Sequence, residues 1–172
     1  NIEIFNRFQN AISGWPGGKP NADDTKRPER KSPHPKRVII FSPHPDDDVI
    51  SMGGTFDRLV SQGHEVHIAY QTSGNIAVSD AEARKFLEVT HALFPKVLED
   101  QFAKILIKFK SKKINQPDPK EVRNLKGFIR KFESLGATRF FGLPDTQVHF
   151  LNSPFYETGR VTKSPISQAD ID

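Results

Sequence analysis

The chain has 172 residues, no cysteine, and 25 Lys and Arg against 21 Asp and Glu, for a net charge of +4. That length accommodates one domain with a core, and the missing thiols exclude disulfides and thiolate chemistry, so any metal would be held by nitrogen and oxygen. No run approaches the roughly 20 apolar residues of a membrane span and no basic-then-apolar signal opens the chain, which predicts a soluble protein with the cytoplasm as its default location.

Residues 1–36 read as a linker or arm. Ile2, Ile4, Phe5, Phe8 and Ile12 suit a short helix ending a preceding domain, and Gly14 to Pro35 is too rich in Pro, Gly, Asn and charge to bury much surface. Trp15 is expected to dock on a neighbouring surface. Residues 37–172 form the domain proper. Arg37 to Phe41 is a short continuous apolar run of the kind buried on both faces of a parallel sheet, followed by a helix from Val49 to Gln62 that stops at Gly63. Glu65 to Tyr70 is a second strand, lying beside the first after a right-handed crossover.

Ser79 with Glu82 three residues on marks a helix start, Phe86, Leu87, Thr90 and Leu93 share one side, and Pro95 is expected to end that helix. Phe102, Ile105, Leu106 and Phe109 repeat at helical spacing. The lysines among them, Lys104, Lys108, Lys110, Lys112 and Lys113, read as a solvated helix face, with no nucleic-acid partner. Asp118 as N-cap and Pro119 at the first helical position open a longer helix with Val122, Leu125, Ile129, Phe132, Gly136 and Phe140 on one face. Val148 to Leu151 is a third strand, and Ser167 with Asp170 resembles another helix start. Strand, helix, strand predicts an α/β, Rossmann-like three-layer sandwich with a mostly parallel sheet.

Pro43-His44-Pro45-Asp46-Asp47-Asp48 follows the first strand directly. In an open parallel sheet ligands gather at the carboxyl ends of the strands, and His44 and Asp47 are spaced so that an imidazole and a first-turn carboxylate face one point, as a divalent ion requires. Asp46 need not bind the ion and is placed to take a proton from an attacking water. The plainer reading is that the three acids complement a helix dipole. That reading leaves His44 and its two flanking prolines unexplained. Thr72 and Ser73, after the second strand, are suited either to bonding a sugar or amide or to an ordinary polar turn.

With Gly53-Gly54-Thr55, Thr72-Ser73-Gly74, Arg130-Lys131-Phe132-Glu133 and Tyr156-Glu157-Thr158-Gly159, the motif resembles the LmbE-like, or PIG-L-like, zinc-dependent deacetylases that act on N-acetylglucosamine groups. The resemblance implies His44 and Asp47 as ligands of zinc, or of another divalent metal such as iron, and Asp46 as general base. It further implies that Arg130 and Glu157 contact an amino-sugar substrate. The plain alternatives are an exposed helix charge for Arg130 and a surface carboxylate for Glu157. The family has Glu where this chain has Asp48, and its third ligand comes from a later His-x-x-His motif, expected here beyond Asp172. Neither His149, within a strand, nor His34, His64, His67 or His91 has a partner at metal-binding spacing in the sequence.

Trp15 to Pro20 leading into Arg27 to Arg30 resembles the linker of bacterial proteins that join a glucosamine-6-phosphate deaminase-like domain to a deacetylase-like one. With Asn1 in place of an initiator Met, this makes the chain an expected internal segment with a preceding deaminase-like domain. A homo-oligomer stays open. A non-catalytic sugar-binding or regulatory module and an Asp-dependent phosphohydrolase are the competing functional readings.

Overall fold

Three short runs rich in β-branched and aromatic residues pair in parallel to build the sheet on which everything else sits. In the computed structural model of the chain, residues 1–4, 34–113, 116–157 and 163–172 are described. The predicted N-terminal helix, apart from its first residues, and the docking of Trp15 lie outside them, as do Thr158 and Gly159. β1 (Arg37–Ser42), β2 (Glu65–Tyr70) and β3 (Val148–Phe150) lie in the order β1-β2-β3. Arg37 aligns with Glu65 and Ser42 with Tyr70, while Ile68 aligns with Val148 and Tyr70 with Phe150.

The single helix predicted from Val49 to Gln62 is two, α1 (Asp47–Ile50) and α2 (Gly53–Ser61). The adjacent glycines Gly53 and Gly54 have the weakest helix preference short of proline, so the chain turns at Ser51 and Met52 before α2 begins. α3 (Asp80–Leu93) opens as expected, the Ser79 side chain accepting from the Glu82 N–H. Pro95 then starts α4 (Pro95–Lys110), where its missing N–H has no partner to lose. α5 (Lys120–Phe140) runs through Gly136, and its N-cap is Pro119 rather than Asp118. Asp118 does not cap because its carboxylate is taken by Lys112 and Lys126. Near the end of the chain, Ser167 and Asp170 form a reciprocal capping box around one 3-10 turn, Gln168–Asp170.

One core joins the inner sheet face to α2 and α5 through Ile40, Val66, Ile68, Tyr70, Phe56, Leu59 and Leu135. A second, of Val78, Ala83, Leu87, Phe109, Val122 and Ile129, ties α3 and α4 to the first half of α5. The buried stripe of α5 is Val122, Lys126, Ile129, Ser134, Leu135 and Thr138, whereas Phe132 and Phe140, predicted to face inward, are exposed. Over six turns a 3.6-residue period drifts away from any simple repeat, and Phe140 lies beyond the sheet's reach. On α3, Ala83 and Leu87 are buried while Phe86 and Leu93 are exposed.

The α/β, Rossmann-like architecture with its parallel sheet is as the sequence predicts. The first core places α2 and α5 on the inner sheet face. The expected burial of β1 on both faces does not hold, because among the described residues nothing covers the opposite face, where Ile39 and Phe41 are exposed. Among the described residues, no helix is long and apolar enough to cross a membrane.

Candidate functional site

The motif forms the turn between β1 and α1, at the carboxyl end of the sheet. Ser42, the last residue of β1, donates from its hydroxyl to the His44 carbonyl at 2.6 Å and accepts from the Asp48 N–H at 3.0 Å, which bends the chain back over the strand end. The His44 carbonyl also accepts from the Asp46 N–H at 2.8 Å. Asp48 is 1 % exposed beneath this turn and accepts from the Tyr70 hydroxyl at 2.8 Å. Burial raises the pKa of Asp48 against the hydrogen bonds from Tyr70, its own N–H and Ser42. Burial, and then the charge of Asp48, push the Tyr70 phenol far above its ordinary range. Asp48 therefore fixes the loop, and the shorter acid reaches its partners.

His44 and Asp47 meet as their spacing predicts. Asp47 Oδ2 lies 3.1 Å from His44 Nδ1 and accepts from the His44 N–H at 3.1 Å. Two donors held about 2 Å from one ion are separated by about this distance, so the pair fits two neighbouring positions around a divalent cation. Among the described residues no group of three or more His, Cys, Asp or Glu converges to complete such a set. The ring of Tyr156 packs against that of His44 with centroids 5.2 Å apart. Tyr156 belongs to the Tyr156-Glu157-Thr158-Gly159 stretch, and its pairing with an imidazole more than a hundred positions away has no local signal in the sequence.

Asp46 points elsewhere. Its Oδ2 accepts from Arg130 Nη2 at 2.7 Å, the same nitrogen donates to the Pro45 carbonyl at 2.8 Å, and Arg130 Nη1 donates to Glu133 at 2.8 Å. Arg130 thus holds the expected base and the motif backbone together, with Nε buried and unpartnered among the described residues.

The loop after β2 supplies the opposite wall. The Thr72 hydroxyl donates to the Pro43 carbonyl at 2.8 Å, so its proton is committed within the fold. Ser73 Oγ accepts from Asn75 Nδ2 at 2.8 Å, and Asn75 Nδ2 also donates to Glu157 Oε2 at 3.3 Å. Glu157 Oε1 is buried without a partner among the described residues. Gly74 has φ +64°, and a Cβ there would lie 2.6 Å from Pro45 Cδ. Only glycine allows both that backbone conformation and that approach. Asn75, another of the small polar residues after β2, is buried and joins Ser73 to Glu157.

His67 and His149 are neighbours across β2 and β3, although the sequence shows no partner for either. His67 Nδ1 and His149 Nε2 are 3.0 Å apart, and Glu65 Oε1 lies 3.3 Å from His67 Nε2. The ring planes differ by 18° and the centroids are 5.3 Å apart, close to the nitrogen separation plus two ring radii. The rings therefore meet edge to edge, nitrogen facing nitrogen, a geometry that suits a shared proton and not convergence on an ion.

A family model described as "PIG-L: GlcNAc-PI de-N-acetylase" matches residues 39–171. Over its whole length the chain is 53 % identical to a putative glucosamine-6-phosphate deaminase-like protein of Bacteroides thetaiotaomicron, of which it spans 27 %. Over 47 residues, 27 % of this chain and 18 % of the other, it is 38 % identical to a diacetylchitobiose deacetylase of Thermococcus kodakarensis. No solved structure matches.

Proposed function

Because the chain belongs to the PIG-L family of GlcNAc-PI de-N-acetylases, we propose that it carries the catalytic turn of a metal-dependent hydrolase removing the N-acetyl group of an N-acetylglucosamine-type substrate. The observation that carries this reading is the 3.1 Å approach of His44 Nδ1 and Asp47 Oδ2 at the carboxyl end of a parallel sheet, with Asp46 in the same turn and held by Arg130. His44 and Asp47 would hold zinc, or iron. When bound, such an ion polarises a carbonyl and makes water a nucleophile near neutral pH.

This chain's residues then act as follows. Arg130 fixes one oxygen of Asp46. The other has no partner among the described residues and accepts the proton of the attacking water. Ser73, Thr72, Arg130 and Glu157 border the substrate, with the orphaned Glu157 oxygen accepting from a sugar hydroxyl. As the amide C–N bond breaks, the proton taken up from water is passed on to the leaving amine, and the products are acetate and a free amino sugar. In the longer polypeptide the segment follows a deaminase-like domain, a reading supported by the name and length of the Bacteroides relative.

The test is metal content and acetate release by the full-length protein, with His44→Ala and Asp46→Asn alongside. His44→Ala is expected to lose metal and activity, and Asp46→Asn to keep metal and lose activity. Wild-type turnover in both variants would refute the mechanism. Sugar binding without acetate release in the wild type would instead identify a binding module.

A further inference from the structure

Beside the motif lies a cleft of about 280 Å³, lined on one side by Arg123, Asn124, Gly127, Phe128 and Lys131 and on the other by Pro45, Ser73, Phe150, Asn152 and Glu157. The first group is a stripe on α5, at i, i+1, i+4, i+5 and i+8, separate from the stripe buried in the core. The second group comes from segments following β1, β2 and β3, so the cleft opens on the same rim as His44 and Asp47. Its volume is near the lower end for small-molecule pockets, suited to one sugar unit rather than a polymer.

The two walls differ in charge. Arg123 and Lys131 have no carboxylate partner among the described residues. Arg123 Nη1 donates only to the Asp118 carbonyl, at 3.2 Å, and Lys131 Nζ sits 4.9 Å from the centre of the Phe150 ring. Gly127, between them on the helix, contributes no side chain and lets Ser73 of the opposite wall come close, a Cβ there lying 3.5 Å from the Ser73 Cβ. Asn124 and Asn152 add amide donors. Across the cleft the only acid in the lining among the described residues is Glu157, with one oxygen buried and without a partner among them. A buried acceptor without a donor is costly unless a ligand supplies one.

We propose that this cleft binds an amino sugar carrying a phosphate ester, with the phosphate on Arg123 and Lys131 and a sugar hydroxyl on Glu157. A neutral sugar would satisfy Glu157 and leave two cations facing water, whereas an inorganic anion would satisfy the cations and leave Glu157 orphaned. A ligand with a donor at one end and an anion at the other satisfies both walls. This rests on the deacetylase reading and narrows its substrate class, making Arg123 and Lys131 specificity-determining.

Calorimetric titration of the full-length protein with glucosamine 6-phosphate, glucosamine 1-phosphate, glucosamine and inorganic phosphate tests it without requiring turnover. The signal is read as the binding component that differs between wild type and the Arg123→Gln/Lys131→Gln double variant, so that any site on a deaminase-like domain cancels. At least one phosphate ester is expected to bind ten or more times more tightly than glucosamine or inorganic phosphate. Arg123→Gln and Lys131→Gln are each expected to weaken that binding about five- to tenfold, with glucosamine unaffected and Lys131→Arg largely restored. Equal binding of glucosamine and its esters would overturn the proposal, as would full ester affinity in the double variant or inorganic phosphate matching the esters. Phosphate-ester binding without acetate release refutes deacetylation and leaves the cleft assignment standing. Acetate release with equal KM from phosphorylated and neutral N-acetylglucosamine does the reverse.

Discussion

Lys126 is 5 % exposed, yet its ammonium is held by two carboxylates, Asp80 Oδ1 and Asp118 Oδ2, each at 2.7 Å. Lys112 Nζ completes a square, 2.8 Å from Asp80 and 2.6 Å from Asp118. Removing one partner of a buried ion pair costs about 3–5 kcal/mol when the other is left alone. Here both acids keep Lys112 and Asp80 is 40 % exposed, so solvent screening reduces the figure. Lys126→Ala is therefore expected to cost about 2–3 kcal/mol, or roughly 5–10 °C in Tm for a domain of this size. Lys126→Met, which keeps the packed stem, should cost about 1–2 kcal/mol.

The pH dependence follows from the acids. Burial raises the carboxyl pKa of both Asp80 and Asp118, but the Lys112 and Lys126 hydrogen bonds outweigh it and the net direction is down. A carboxylate with a lowered folded-state pKa stabilises above its unfolded value, near 3.9, and loses that contribution as pH falls through the folded one. Urea unfolding should thus show the full Lys126→Ala penalty at about pH 7 and a much smaller one at about pH 2. A penalty under about 0.5 kcal/mol at neutral pH, or one unchanged in acid, would refute the reasoning.

Three further outcomes are expected. Tyr70→Phe removes the donor to a buried Asp48 oxygen and should lower stability by about 1–3 kcal/mol in denaturant titration. Gly74→Ala places a Cβ against Pro45 Cδ at a positive φ, costing about 1–3 kcal/mol, and should depress acetate release more than its stability loss explains by moving the motif loop. Arg130→Ala frees Asp46 and should reduce kcat/KM for acetate release at least tenfold, with Arg130→Lys intermediate because a single ammonium cannot span Asp46, the Pro45 carbonyl and Glu133 together.

The strands were legible as short runs rich in β-branched and aromatic residues, although β1 buries only one face, and the α3 start because Ser79 and Glu82 lie three residues apart. The His44–Asp47 approach was also legible, since both belong to one turn. Other features depended on partners far away in the chain. Asp118 has the form of an N-cap, and only the folded structure shows two lysines from α5 and the end of α4 claiming its carboxylate. Lys112 likewise reads as a solvated lysine until Asp80 and Asp118 are brought beside it. His67 and His149 become a pair only through the β2–β3 register, and the cleft exists because an α5 stripe that buries nothing faces three strand ends.

The outer sheet face has a practical consequence. Ile39 and Phe41 stand open to water on β1, which has no second neighbour in the sheet among the described residues. A surface of that kind adsorbs dyes, detergents and other polypeptides, and it governs colloidal behaviour before any chemistry is measured. The yield of these 172 residues expressed by themselves, their light scattering and their response to mild surfactant are therefore expected to report on this face.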